Sequence, residues 1–239
     1  MDTSNVNNLG NYRDFIKAFL DRGYTPRLFT ELSSPTGELL LRHDIDFDTG
    51  FALKTAQIET DLGIKSTYFF LLRSNFYNVL SPKVFDQILA IRDLGHEISI
   101  HFDPLVYENY QQGLKLEIET FQHLFGGKVN IISLHRPNDF FKNFDASING
   151  VEHTYQSKYF RNIHYSSDST GEWRFGHPHD SVAFSDRASM HVLIHPVWWM
   201  MNGVSNLEKL RLYYDQRVEE LKNDFLINCI PFREIYETV

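Results

Sequence analysis

The chain has 239 residues, 42 % of them hydrophobic and 15 % aromatic, which is enough for one large α/β core and far from the composition of a disordered segment. A net charge of −8 argues against a nucleic-acid backbone as the main partner, and a single cysteine, Cys229, excludes an internal disulfide. No apolar run reaches the ~18 residues of a membrane-spanning helix, and the first residues, MDTSNVNNLGNYRDF, lack the basic and apolar regions of a signal peptide. The expectation is a single domain over residues 1–239 in a reducing, cytoplasmic setting, with Cys229 a small buried hydrophobe.

The elements follow in order. Residues 4–11 are an Asn-rich lead. Residues 12–22 carry Phe15, Ala18 and Phe19 at helical spacing, with Gly23 as the stop. LLLRHDID (39–46) predicts a strand, residues 51–62 a helix, and STYFFLL (66–72) a strand. Ser81-Pro82 opens a helix through Leu94, HEISIHF (96–102) is a strand, residues 107–125 are helical, and VNIISLH (129–135) is a strand. The stretch 138–190 is less regular, with short strands expected near 160–165 and 182–184. HVLIH (191–195) is a strand. Ser205 to Glu208 is a capping box that opens a helix to about Phe225, and CIPFREI (229–235) reads as a last strand. Strand–helix alternation with short connections implies parallel strands and right-handed crossovers.

Strand parity then sorts the polar residues. Asp44 and Asp46 share one face of their strand, while His43 and Ile45 share the other. Glu97, Ser99 and His101 oppose Ile98 and Ile100; His135 opposes Leu134; His195 opposes Ile194. Aliphatic positions suit packing against helices, so the polar ones point to the other side, near the C-terminal strand ends where parallel α/β folds place their sites. Two carboxylates and three histidines converging there suggest a metal site with neighbouring acid and base groups. The competing reading gives each histidine an ordinary core or loop role and makes Asp48 or Thr49 a helix N-cap.

With these residues in hand, the chain resembles the polysaccharide deacetylase superfamily, carbohydrate esterase family 4, and within it a divergent branch from bacterial surface-polysaccharide biosynthesis. The resemblance runs from about Leu39 to His195. It is carried by RHDID (42–46), TYFF (67–70), GHEISIHFDP (95–104), LIHP (193–196) and, more weakly, LHRP (134–137). It implies a distorted (β/α) barrel and a metal-dependent hydrolase that removes an acetyl or other N-acyl group from a sugar.

By resemblance, Asp44 corresponds to the catalytic base, Asp46 to the metal-binding aspartate, His101 to the first metal histidine, His195 to the general acid and Arg136 to the arginine that steadies the base. Ile45 separates aspartates that the family motif keeps adjacent, so the two roles are interchangeable at this stage. Leu105 stands where the family has its second metal histidine, and His135 is the candidate substitute. His43 and His96 face the other way by parity and read as structural. SSDSTGEWR (166–174) stands near a missing late motif, which suggests Asp168, Trp173 and Arg174 beside the substrate. Trp198 and Trp199 either stack on a sugar ring or pack in the core.

The implied cofactor is a divalent metal ion, with Zn²⁺ the first expectation. The implied partner is an acetylated sugar, a nucleotide sugar or a lipid-linked glycan. The alternative is a non-catalytic glycan- or partner-binding relative that has lost the metal with its second histidine.

Overall fold

The structure is a computed structural model and describes residues 7–237. Among the described residues, 9–200 form one compact unit, and 7–8 with 201–237 a second. The larger unit runs α1 (Tyr12–Asp21), β1 (Thr25–Arg27), β2 (Glu38–Ile45), α2 (Thr49–Asp61), β3 (Thr67–Phe70), α3 (Pro82–Asp93), β4 (Glu97–Phe102) and α4 (Tyr110–Phe125). It continues through β5 (Ile131–Leu134), α5 (Asp139–Asn143), β6 (Glu152–His153), α6 (Ser157–Phe160), β7 (His164–Ser167), α7 (Val182–Asp186), β8 (Met190–Ile194) and α8 (Pro196–Met200). The smaller unit holds α9 (Asn206–Asn228) and α10 (Ile230–Glu237).

Seven strands in the order β6-β5-β4-β3-β2-β8-β7 form a curled half-barrel, with β1 pairing to the start of β2, and every pairing is parallel. Strand β2 lies at the centre and is buried along all eight residues, as a strand covered on both faces must be. One face of the sheet looks inward. Leu40, Phe69 and Ile131 fill that interior with Phe29 and Tyr159. The other face carries Ile45, Tyr68, Phe70, Ile100, Phe102 and Ile132 into the layer beneath the helices.

The helix starts explain the connections. Asp48 accepts from the backbone N–H of Gly50 (2.8 Å) and Phe51 (3.0 Å), so it caps α2, and Asn109 caps α4 in the same way. Pro82 at the first turn of α3 needs no N–H partner. Gly95 ends that excursion in the left-handed region (φ 95°), which costs glycine nothing and turns the chain into β4.

A buried polar hub ties the helical layer to the sheet. The Glu59 carboxylate of α2 accepts from Tyr12 Oη (2.5 Å), His43 Nε2 (2.8 Å), Ser66 Oγ (2.6 Å) and Tyr68 Oη (2.8 Å). His96 completes it, 3.7 Å away, with Nε2 against the Ala56 carbonyl oxygen (3.0 Å). Burial opposes ionisation of Glu59, but His43 and the other donors outweigh it and hold the carboxyl at about 2.

Two expected strands are helices. Residues 182–184 lie in α7, because Ser181 Oγ accepts from the Phe184 N–H (3.0 Å) and caps a turn. CIPFREI forms most of α10. Pro231 cannot donate to a strand ladder but is tolerated in a first helical turn, and Phe232 packs on Phe225 of α9 (5.1 Å). The strand expected near 160–165 is β7, and α9 continues three residues beyond Phe225.

Candidate active site

Five strand ends contribute the site's side chains. Arg42 and Asp44 come from β2, with Asp46 just after it; His101 comes from β4, and His135, Asp168 and His195 follow β5, β7 and β8. The parallel pairing therefore gathers residues far apart in sequence on one rim, and Asp44, Asp46, His101, His135 and His195 line a single cavity of about 360 Å³.

Asp46, His101 and His135 each offer a ligand atom within 4.8 Å of the others. His135 Nδ1 is 3.0 Å from His101 Nε2. Asp46 Oδ1 lies 3.2 Å from His101 Nε2 and 3.4 Å from His135 Nδ1, yet this buried oxygen has no hydrogen-bond partner among the described residues. A buried carboxylate oxygen left so is costly, and a cation among the three donors removes the cost. His101 Nδ1 contacts Ser133 Oγ (2.6 Å); a proton on Nδ1 leaves the Nε2 lone pair facing Asp46 and His135. The set of one carboxylate and two imidazoles fits a divalent ion such as Zn²⁺ with coordination positions to spare. Burial opposes ionisation of Asp46, and the neighbouring imidazoles outweigh it, holding the carboxyl well below its usual range.

Asp44 sits beside this cluster, its Oδ2 3.6 Å from His101 Nε2. Arg42, two residues earlier on the same strand, grips it with two parallel bonds: Nε to Oδ1 at 2.9 Å and Nη2 to Oδ2 at 2.7 Å. Burial pushes the Asp44 carboxyl up, and the guanidinium more than offsets that, so Asp44 stays below the usual carboxylate range and ready to accept a proton. Arg42 in turn packs over the Tyr155 ring, 5.2 Å from its centroid.

Opposite stands His195, its Nε2 3.9 Å from Asp46 Oδ2. Asp168 holds it at both ring and backbone and is itself held by Trp199. One carboxylate oxygen bonds His195 Nδ1 (2.7 Å), both lie 3.0 Å from the His195 backbone N–H, and Oδ2 accepts from Trp199 Nε1 (2.8 Å). Burial by itself lowers the imidazole's affinity for protons; Asp168, with Asp46 and Asp44 behind it, reverses this and raises His195 to about 9. A protonated imidazole at neutral pH is the form that donates.

Several expected residues fall elsewhere. Arg136 does not touch Asp44. It lines the same cavity, with its backbone in the left-handed region (φ 45°) and its largely exposed side chain 3.5 Å from Asp103 Oδ2, while Arg42 is the arginine that bonds Asp44. Asp168 is fully buried behind His195 rather than beside substrate. Trp173 stacks on Phe15 (5.6 Å) in an aromatic group with His177 and Trp199, and exposed Arg174 bonds Thr170 Oγ1 (3.1 Å). Trp198 does line the site cavity. Leu105 lies in a short 3₁₀ turn and is 57 % exposed, and the side chain standing with Asp46 and His101 is His135. Arg42 shares the face of Asp44 and Asp46 by parity, a signal in the sequence that points to it, and Ser133 shares the face of His135 as parity indicates.

No protein-family model matches the chain, and no curated protein matches it. Solved structures do. One is a family 4 carbohydrate esterase from Bacillus anthracis, 12 % identical over 88 % of this chain and 86 % of that one, with a TM-score of 0.46. Another, from Bordetella bronchiseptica, is described as a polysaccharide deacetylase involved in O-antigen biosynthesis; it is 18 % identical over 89 % and 90 % of the two chains, with a TM-score of 0.47.

Proposed function

We propose that this chain is a metal-dependent hydrolase of the polysaccharide deacetylase superfamily, releasing acetate from an N-acetylated sugar used in building a bacterial surface polysaccharide. The observation that carries this reading is the Asp46–His101–His135 cluster set between an arginine-held carboxylate, Asp44, and an aspartate-backed imidazole, His195.

Asp46, His101 and His135 would hold the ion. Bound there, a divalent metal supplies a water of lowered pKa and polarises an acyl carbonyl. The chain's own groups do the rest. Asp44 takes the proton of the attacking water as the C–O bond forms. Arg42 keeps that carboxylate ionised and fixes its direction. His195 gives its Nε2 proton to the amide nitrogen as the C–N bond breaks, and Asp168 balances the charge on the ring. Leu134, Leu193 and Trp198 in the cavity wall offer an apolar seat for the acyl methyl. One amide and one water become one amine and one acetic acid.

The test combines metal content and turnover. Wild-type protein loaded with zinc should retain about one ion per chain and release acetate from an N-acetylated glycan panel; Asp46→Ala should lose the ion. Asp44→Asn should keep the ion and lose at least about 10³-fold in rate. Full activity in Asp44→Asn, or a zinc-free wild type, would overturn the reading.

A further inference from the structure

On the other side of Asp46 and His135 a second cavity of about 370 Å³ opens, and the chemistry above leaves it unused. Its size falls within the range of ligand sites. Phe47 and Phe76 form one wall, their rings 4.6 Å apart, and Phe76 is 44 % exposed. The lining also contains Glu117 of α4, only 5 % exposed.

Glu117 is built into place. Its Oε1 accepts from Tyr107 Oη at 2.6 Å. Tyr107 stacks on Phe102 (5.6 Å) and lies beneath the Arg73 guanidinium (4.9 Å). Its ring also lies across Gly113, where a Cβ would collide with it, so a glycine in the first turns of α4 is what lets the tyrosine reach the carboxyl. The second oxygen, Oε2, has no hydrogen-bond partner among the described residues. Burial is the main force on this carboxyl, and against the pull of Tyr107 and Arg73 it raises the group to about 7. A carboxyl poised between its two forms can give or receive a hydrogen bond, and a hydroxyl matches both.

The charges of the cavity narrow the ligand further. Arg136 is paired with Asp103 and Arg73 stands over Tyr107 beside Glu117, so neither arginine faces the cavity without an acidic neighbour. A diphosphate would meet the Asp103 and Glu117 carboxyls as well as the arginines. An uncharged, hydroxyl-rich ring would meet an aromatic wall and a buried hydrogen-bonding group.

We propose that Glu117 is a specificity-determining residue, which hydrogen-bonds a hydroxyl of an uncharged sugar unit attached to the acylated one and held in this second cavity. This rests on the hydrolase reading for the neighbouring acylated unit, but its test is binding rather than turnover.

The probes are the pentasaccharide of N-acetylglucosamine and UDP-N-acetylglucosamine, titrated calorimetrically into zinc-loaded full-length protein. The pentasaccharide should bind the wild type more tightly than the nucleotide sugar. Glu117→Met, which keeps volume and removes both oxygens, should weaken pentasaccharide binding about tenfold or more, while Glu117→Gln stays within about threefold. Phe76→Ala, a change on the exposed rim, should weaken it severalfold and guards against a misfolded Glu117→Met protein. Tighter binding of the nucleotide sugar, wild-type affinity in Glu117→Met, or no pentasaccharide binding to the wild type would each overturn the proposal. Binding that shows this pattern without any acetate release would instead overturn the hydrolase reading and leave the hydroxyl site standing.

Discussion

Arg42 and Arg136 separate what sequence position suggests from what geometry delivers. Both sit within reach of the rim, but only Arg42 makes a two-pronged contact with Asp44, and it does so from a fully buried position. Removing a buried partner leaves an uncompensated charge, which typically costs about 3–5 kcal/mol. Arg42→Gln should therefore lower thermal stability and cut turnover by about 10²-fold, whereas Arg136→Ala should stay within about threefold of wild type in turnover. The same assay of acetate release on both proteins checks this, and equal losses would return the supporting role to Arg136. The sequence made the convergence of Asp44, Asp46, His101, His135 and His195 legible, because parity is a strict rule of strands. It did not make the pairings legible. Whether an aspartate such as Asp168 faces substrate or backs a histidine depends on which strand lies beside it, and β7 and β8 are paired only in three dimensions.

At the scale of elements, the fold rests partly on the Glu59 hub, which joins α1, β2, α2 and β3 through one carboxylate. Its folded value of about 2 lies below its ordinary 4.5, so its contribution is present above pH 4.5 and is lost as pH falls toward 2. The full difference is on the order of 3 kcal/mol, and the part lost between pH 4.5 and pH 3 is about 2 kcal/mol. In urea titrations of metal-free protein, Glu59→Gln should show a stability change between pH 7 and pH 3 smaller than wild type by about that amount. Identical pH dependence would mean that the carboxylate gains nothing from its ring of donors. Element boundaries were readable where caps and glycines punctuate the chain, as at Asp48 and Gly95. They mislead at CIPFREI, whose seven residues are of strand length and whose Pro231 is the one signal against a ladder. The expected strand at 182–184 failed for a related reason, since Ser181 supplies a helix cap that apolar content does not reveal.

For the molecule as a whole, the alternation of strands and helices announced a parallel sheet, whereas its extent did not follow from the sequence: β6 and β7 remain unpaired to each other, and the sheet stays a half-barrel. Asp46, His101 and His135 come from three strands of that sheet, so an ion bound among them as proposed should stabilise the assembled rim. A ligand at about 100 times its dissociation constant adds ~2.7 kcal/mol, which for a protein of this size is a rise of about 5–10 °C in Tm. Zinc should raise the Tm of the wild type by that amount and leave Asp46→Ala unmoved. A shift retained in the variant would place the ion elsewhere.

The spacing of Arg42 and Asp44 has a further consequence. Two residues on the same face of one strand keep their mutual geometry whenever that strand is extended, whatever its neighbours do. The ion cluster has no such independence, since Asp46, His101 and His135 stand at the ends of β2, β4 and β5 and meet only when those strands are in register. Breathing of the sheet would scatter Asp46, His101 and His135 while Asp44 remained clasped by Arg42. The pairing of Arg42 with Asp44 is thus set within one strand and does not depend on the register of β4 and β5.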